Sequence, residues 1–276
     1  MAQIMASTVN IMIPLLFAAT GGLFTELAGM LNIALEGLLL IGAFSAAAAA
    51  WYTGSFAAGI AAGIAGSLIL SAVLAVTALK LRSNIFIAGL AVNLFASGFT
   101  VILSHRLFGT RGVVVLKDLP ALPKINPYVY SGWIFLFAAW LVLYRTPFGY
   151  RLRASALHAQ ALRSLGLRPG VYRLAALLVS GLACGIGGSF LSLNLGAFVP
   201  NISAGRGWIA LVVIFLGGRK PLGLLAGAFI FGLAEAFSDY AQGVFAVPAD
   251  FILAIPYIFT LAVMTGISVY AKRKRR

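Results

Sequence analysis

Apolar runs at 8–25, 30–50, 56–79, 84–104, 128–144, 170–194, 205–218, 221–241 and 247–270 fill most of this chain. A helix needs about 20 mostly apolar residues to cross a bilayer, and most of these runs approach that length. With 62% hydrophobic and 9% charged residues, the chain falls far below the roughly 25% charge of a soluble domain. The bilayer is therefore its main solvent, and the expected fold is an all-α polytopic membrane protein. It should have eight to nine transmembrane segments in one membrane domain spanning 1–276. The run at 205–218 is short for a span. It reads either as a tilted half-helix or as one half of a broken pair with 221–241 through Gly217–Gly218.

Charge orients the segments. The net charge of +14 is not a nucleic-acid signal, because the basic residues flank apolar runs. Positive residues of this kind collect on the cytoplasmic side. The tail Lys272–Arg276, Arg219 with Lys220, the stretch Arg145–Arg173 and the Lys80–Arg82 turn all fall on that side. The loop 105–127 then faces outward. Its Arg106, Arg111, Lys117 and Lys124 depart partly from the rule. No Lys or Arg precedes Lys80, so the first apolar run lacks the basic start of a cleaved signal and is expected to be retained.

Few residues carry chemistry. The chain has one cysteine and two histidines, so neither a metal site nor a cofactor site is expected. No phosphate loop of the form GxxxxGK[ST] occurs, so nucleotide hydrolysis is not expected of this chain. Polar residues inside apolar runs are the informative ones, because they face a bundle interior or water. Asn32 and Glu36 are four apart and are expected on one helix face. They either line a path or brace neighbouring helices. Asn93 lies mid-run and needs a hydrogen-bond partner, with the same two readings. Asn84, with Ser83, reads as a helix start. Glu235 and Asp239, with Arg206, are expected near the outer surface, either as a docking site or as plain interfacial residues. The pairs Gly59/Gly63, Gly181/Gly185 and Gly223/Gly227 have the spacing that lets helices approach closely, within the chain or at a subunit interface.

The cytoplasmic loop 145–168 is the longest polar stretch on its side. Tyr150, Ala154, Leu157, Ala161 and Leu165 recur at helical spacing, while Arg151, Arg153 and Arg163 decorate other faces. Pro147 and Gly149 break the chain before this helix, and Gly166 ends it. On these grounds it is either a helix lying on the membrane surface or a docking element.

Several segments together resemble permease subunits of ABC importers, in the branch that serves branched-chain amino acids, ribose-type sugars and nucleosides. They are GLFTELAGMLNIALEG at 22–37, RTPFGYRLRA at 145–154, ALRSLG at 161–166, FVPNISAGRGWIAL at 198–211, GGRKPLGLLAGAFIFG at 217–232 and PYIFTLAVM at 256–264. The N-I-x-L-E-G pattern looks most like the nucleoside-type permeases, with riboflavin and simple-sugar permeases as close alternatives. The resemblance implies a second permease chain, a paralogue, together with cytoplasmic ATP-binding subunits and an extracytoplasmic solute-binding protein. The setting it implies is a bacterial inner membrane. It also implies that Tyr150, Arg151, Arg153, Ala154, Leu157, Ala161, Arg163, Leu165 and Gly166 belong to a coupling helix that docks on the ATPase. Where the family has Gly, Glu, Asn and Pro mid-helix, this chain has Ala156, Leu157, His158 and Ala159, which predicts a more regular, less acidic helix. The rival of another class is an ion-coupled secondary transporter using Glu36 or Glu235.

Overall fold

The computed structural model describes residues 2–116, 127–244 and Thr265. The apolar runs become α1 (Ala2–Leu27), α2 (Leu35–Thr53), α3 (Phe56–Ala75), α4 (Ile85–Phe108) and α5 (Pro127–Arg145). Two short helices follow, α6 (Pro147–Leu157) and α7 (Ala159–Ser164). Next come α8 (Pro169–Leu195), α9 (Arg206–Leu216) and α10 (Pro221–Val244). Among the described residues seven helices are long and apolar enough to cross a membrane, and α9 is not. Its eleven residues rise about 16 Å, half of a bilayer core of about 30 Å. Apart from Thr265, the expected run at 247–270, with Asp250, and the basic tail lie outside the described residues.

Local chemistry sets the helix ends. Ser55 caps α3 by accepting from the Ala58 amide, and Asn84 caps α4 by accepting from Phe86 at 2.8 Å, as its position predicts. Gly54, Gly109 and Gly196 close α2, α4 and α8 in the left-handed conformation, which costs glycine nothing. Outside the bundle, β1 (Val114–Val115) pairs antiparallel with β2 (Ala197–Phe198), Val114 opposite Phe198. The outer loop is thereby tied to the connection between α8 and α9.

The core is built from α1, α2 and α8, whose facing residues Leu15, Leu23, Leu38, Leu39 and Leu177 are wholly buried. Small residues let these helices nearly touch. A Cβ on Gly185 of α8 would lie 2.6 Å from the Ile64 Cα of α3, and one on Gly63 would lie 2.9 Å from the Gly42 carbonyl of α2. Gly181 faces Ser71, whose hydroxyl donates to the Leu177 carbonyl at 2.6 Å. Gly227 faces Val213 across α9 and α10. The glycine pairs therefore serve packing within the chain. By contrast α4 and α5 expose Ile87, Leu94, Ile134 and Phe137, an apolar surface suited to lipid or a second membrane subunit.

Ten of the basic residues described sit at one end of the bundle, from Lys80 to Lys220. Only Arg106 and Arg111 sit at the other, and Arg206 lies between. This is the asymmetry of a cytoplasmic end.

Widening the α3–α8 contact tests the packing. Gly185→Val should cost about 1–3 kcal/mol, as overpacking does. It should lower the unfolding temperature of the detergent-solubilised chain, whereas Gly170→Val, where nothing lies within 4 Å, should not.

Candidate functional site

Two stretches of irregular backbone enter the bundle, at 28–34 and 199–205. Each ends in a helix that starts at membrane depth. Distances along the neighbouring helices set that depth. Asn93, which touches the start of α2, lies eight residues into α4, about 12 Å from the cytoplasmic end. Glu235, which pairs with Arg206 at the start of α9, lies fourteen residues into α10, about 21 Å from that end.

A backbone break in lipid leaves N–H and C=O groups without partners, and this is tolerated only where protein supplies them. Three predicted residues do so. Asn32 donates to the Ser180 hydroxyl of α8 at 2.9 Å and accepts from the Ala34 amide at 3.0 Å. Asn93 accepts from the Gly37 amide at 2.8 Å and donates to the Ile33 carbonyl at 3.0 Å. Glu36 reaches across to α9, its two oxygens accepting from the Gly205 and Gly207 amides at 2.8 and 2.7 Å. The carboxylate thus caps α9, where the helix dipole favours negative charge.

One expectation needs correction. Asn32 and Glu36 do not share a helix face. Asn32 lies in the turn before α2, and Glu36 lies in its first turn. The Asn32 side chain binds the backbone two residues on, the local bond by which Asn competes with helix.

The turn Gly205–Arg206–Gly207 is clasped from two sides. Glu36 holds its backbone, while the Arg206 side chain pairs with Glu235 and donates to the Ile202 carbonyl at 3.2 Å. Gly207 is required here, because a Cβ would lie 2.5 Å from the Glu36 Cα. Arg206 and Glu235 are thus half-buried and engaged with each other, while Asp239, one turn further out, is exposed.

At the cytoplasmic end, the predicted single helix is two. Thr146 caps α6 and Pro147 opens it. The chain then breaks at His158, with φ −139° and ψ 56°, before α7 begins. The loop is less regular than expected because α6 and α7 each turn a residue inward. Leu152, Ser155 and Leu162 are buried against the bundle. The predicted stripe faces away. Tyr150, Leu157 and Leu165 are 58%, 77% and 74% exposed, Ala161 is exposed and Ala154 half-buried. Arg151 and Arg163 are exposed, and Gly166 ends α7 with φ 74°.

Contacts run from this loop toward the half-helix. Arg153 stacks on the rings of Tyr144 and Tyr150, and the Tyr150 hydroxyl donates to the Tyr144 carbonyl at 3.1 Å. The Tyr144 hydroxyl donates to the Arg219 carbonyl at 3.3 Å, in the turn between α9 and α10. Arg219 pairs with Glu26 of α1 at 2.9 Å. On the other side, Gly29 packs against Ala156 of α6 so closely that a Cβ would lie 2.9 Å from the alanine methyl. Arg173 donates to the Ser155 carbonyl at 2.9 Å.

Sequence reasoning missed a crevice of about 280 Å³ between α1, α8 and the 199–206 turn, where Asn10, Asn194 and Arg206 meet apolar walls that include Pro14, Leu191 and Ile202. Asn10 was detectable, since it interrupts the first apolar run as Asn93 interrupts the fourth. Among the described residues no three His, Cys, Asp or Glu side chains cluster as metal ligands do.

Residues 4–267 match the family described as branched-chain amino acid transport system / permease component. The chain is 31% identical to the guanosine ABC transporter permease protein NupQ of Bacillus subtilis, over 92% of this chain and 88% of that protein. It is 30% identical to the nucleoside ABC transporter permease protein NupC of Lactococcus lactis, over 91% and 87%. It is 29% identical to the putative glucose ABC transporter permease protein TsgC13 of Haloferax volcanii, over 87% and 78%. A solved structure of PsaBC from Streptococcus pneumoniae in complex with Fab is similar in fold, with a TM-score of 0.51 and 16% identity over 93% of this chain and 89% of that one. This chain belongs to the branched-chain amino acid transport system / permease component family and is a multi-pass membrane permease subunit of an ABC transporter.

Proposed function

We propose that the chain, as one membrane domain, forms half of the path of an importer for nucleosides. Its other half is a paralogous permease. Separate ATPase chains drive the pair, and an extracytoplasmic solute-binding protein feeds it. The observation that carries this reading is the exposed stripe Tyr150, Leu157, Ala161 and Leu165 at the basic end of the bundle. It sits on a loop that packs against Gly29 of the 28–34 segment and, through Tyr144 of α5, bears on the turn after α9. The nucleoside assignment draws on the likeness to the guanosine and nucleoside permeases. The glucose permease supports a neutral sugar as the second reading.

In this mechanism ATP binding draws the ATPase pair together and shifts α6. The push divides. Ala156 bears on Gly29 and so on the 28–34 segment that holds Asn32. Tyr144 bears on the Arg219 turn and so on α9. A helix of three turns moves as a rigid rod, so motion at its cytoplasmic end reaches Gly205–Gly207, where Glu36 and Glu235 hold the far end. Asn32, Glu36 and Asn93 then shape the path by fixing the broken helices at its wall. ATP and the loaded binding protein each act only through their preference for one state. Asp239 is the exposed residue left for external docking. An ion-coupled transporter would need Glu36 or Glu235 to be available for an ion, and here each already has protein partners.

Two measurements test these roles. In a mild-detergent pull-down, an ATPase, a second permease and a binding protein should co-purify. Leu157→Asp and Ala161→Asp, at exposed positions, should lose the ATPase and keep the permease partner. Uptake by the chain alone in liposomes without ATP would end the proposal. For the clasp, Glu36→Ala leaves two inward amides unpaired at about 1–3 kcal/mol each. Unfolding temperature and uptake should fall together. Glu36→Gln keeps one acceptor and should lie between. Loss of uptake in Glu36→Gln at unchanged stability would make Glu36 a solute or ion contact instead.

A further inference from the structure

An apolar groove runs along the outside of the bundle where α5 meets α10. Two hollows of about 400 and 340 Å³ form it, and Trp133, Leu222 and Leu225 line both. Each lies within the roughly 300–1,000 Å³ of small-molecule sites. Trp140 and Trp133 lie five and twelve residues before the basic end of α5, about 8 and 18 Å deep. The groove therefore spans the depth of one leaflet, half of a hydrocarbon core of about 30 Å. Its walls are apolar throughout, and Leu222 and Phe137 are 76% and 62% exposed. A hydrated solute would lose its water there without gaining hydrogen bonds, whereas an acyl chain matches the walls.

Charge sits at one mouth only. The Arg145 guanidinium lies over the Trp140 ring at 5.4 Å, a cation–π contact that holds it beside the groove. Lys220 directly precedes Pro221, which lines the groove. The bond from the Tyr144 hydroxyl to the Arg219 carbonyl joins the end of α5 to the start of α10, so the two cations flank one opening. Both are exposed, and among the described residues neither has an acidic partner. Glu26, the one described acid at this end, is paired with Arg219. The far end of the groove, toward Val9 and Met12, carries no charge.

An apolar channel with cations at one end fits an amphiphile with one anionic end. Basic pockets between membrane helices hold anionic headgroups in this way. A choline or ethanolamine headgroup would bring a cation of its own to two that are already unpaired.

We infer that the α5–α10 groove binds an anionic glycerophospholipid, with an acyl chain along Trp133, Leu222 and Leu225 and the phosphate between Arg145 and Lys220. The inference goes beyond the importer reading and does not depend on which solute is carried.

Photo-cross-linking in the assembled transporter tests it. The complex is reconstituted in phosphatidylcholine liposomes that carry, at equal mole fraction, phosphatidylglycerol or phosphatidylcholine with a diazirine on the acyl chain. Cross-linked peptides are mapped by mass spectrometry. Peptides from 127–145 and 221–229 should take the phosphatidylglycerol probe about tenfold more than the phosphatidylcholine probe, as two cations near a membrane surface allow. Arg145→Gln with Lys220→Gln should bring that ratio near one, and so should high salt, which screens exposed charges. Leu225→Trp, which fills the groove, should lower labelling by both probes. Glycerol 1-phosphate in solution should not compete, because it lacks the chain.

Equal labelling by the two probes would reduce the groove to ordinary lipid contact and overturn the inference. No labelling there, while the exposed Ile87 and Leu94 of α4 are labelled, would show that protein covers the groove and would overturn it too. A ratio that survives the double substitution would remove Arg145 and Lys220 from the site. Competition by glycerol 1-phosphate would make it a site for free phosphate instead. Should Leu225→Trp fail to assemble, the double substitution, at exposed positions, decides the matter. A chain that purifies alone can be tested in the same way, so failure of the importer reading leaves this test standing.

Discussion

Everything in this bundle follows from the need to satisfy backbone polar groups where no bulk water reaches. An unbroken helix meets that need alone. This chain breaks its backbone twice at membrane depth, and at each break a side chain from elsewhere takes the unpaired groups. Asn93 serves the start of α2, and Glu36, itself in the first turn of α2, serves the start of α9. The two breaks therefore depend on each other. Loosening α2 withdraws the cap of α9.

In the proposed mechanism that dependence makes a local repair the route for motion. The half-helix α9 is held at one end by carboxylates and at the other by a turn that Tyr144, at the end of α5, touches. The tight glycine contacts among α2, α3 and α8 make the rest a stiff frame. A stiff frame with one short rod pinned at both ends transmits displacement better than a uniformly flexible bundle. Close-packed interiors switch between discrete arrangements and do not deform smoothly.

The pair α6 and α7 shows how much a sequence pattern conveys. The stripe Tyr150, Leu157, Ala161 and Leu165 was legible as a periodic apolar set, and its outward direction was not. Periodicity marks a face without saying which partner covers it. The break at His158 was also hidden, because nothing in Ala156–Ala159 forbids helix. Leu152 and Leu162 seat α6 and α7 separately on the bundle, and that tertiary demand overrides local propensity. Asn32 was misplaced onto a helix for a related reason. Spacing of four implies a shared face only if the helix is continuous.

The sequence by itself determined the solvent, the all-α polytopic class and the family, because these depend on composition and motif order along the chain. It also singled out Asn32, Glu36 and Asn93, since polar groups in apolar runs are costly wherever they end up. Only the tertiary structure decided what those groups do. Glu36 meets Gly205 and Gly207 across 169 and 171 residues of sequence. The pairing of Arg206 with Glu235, and the crevice that Asn10 and Asn194 share, likewise arise from elements brought together by packing. Such partners are chosen by which backbone groups the fold leaves unpaired, a quantity that has no value until the chain is folded.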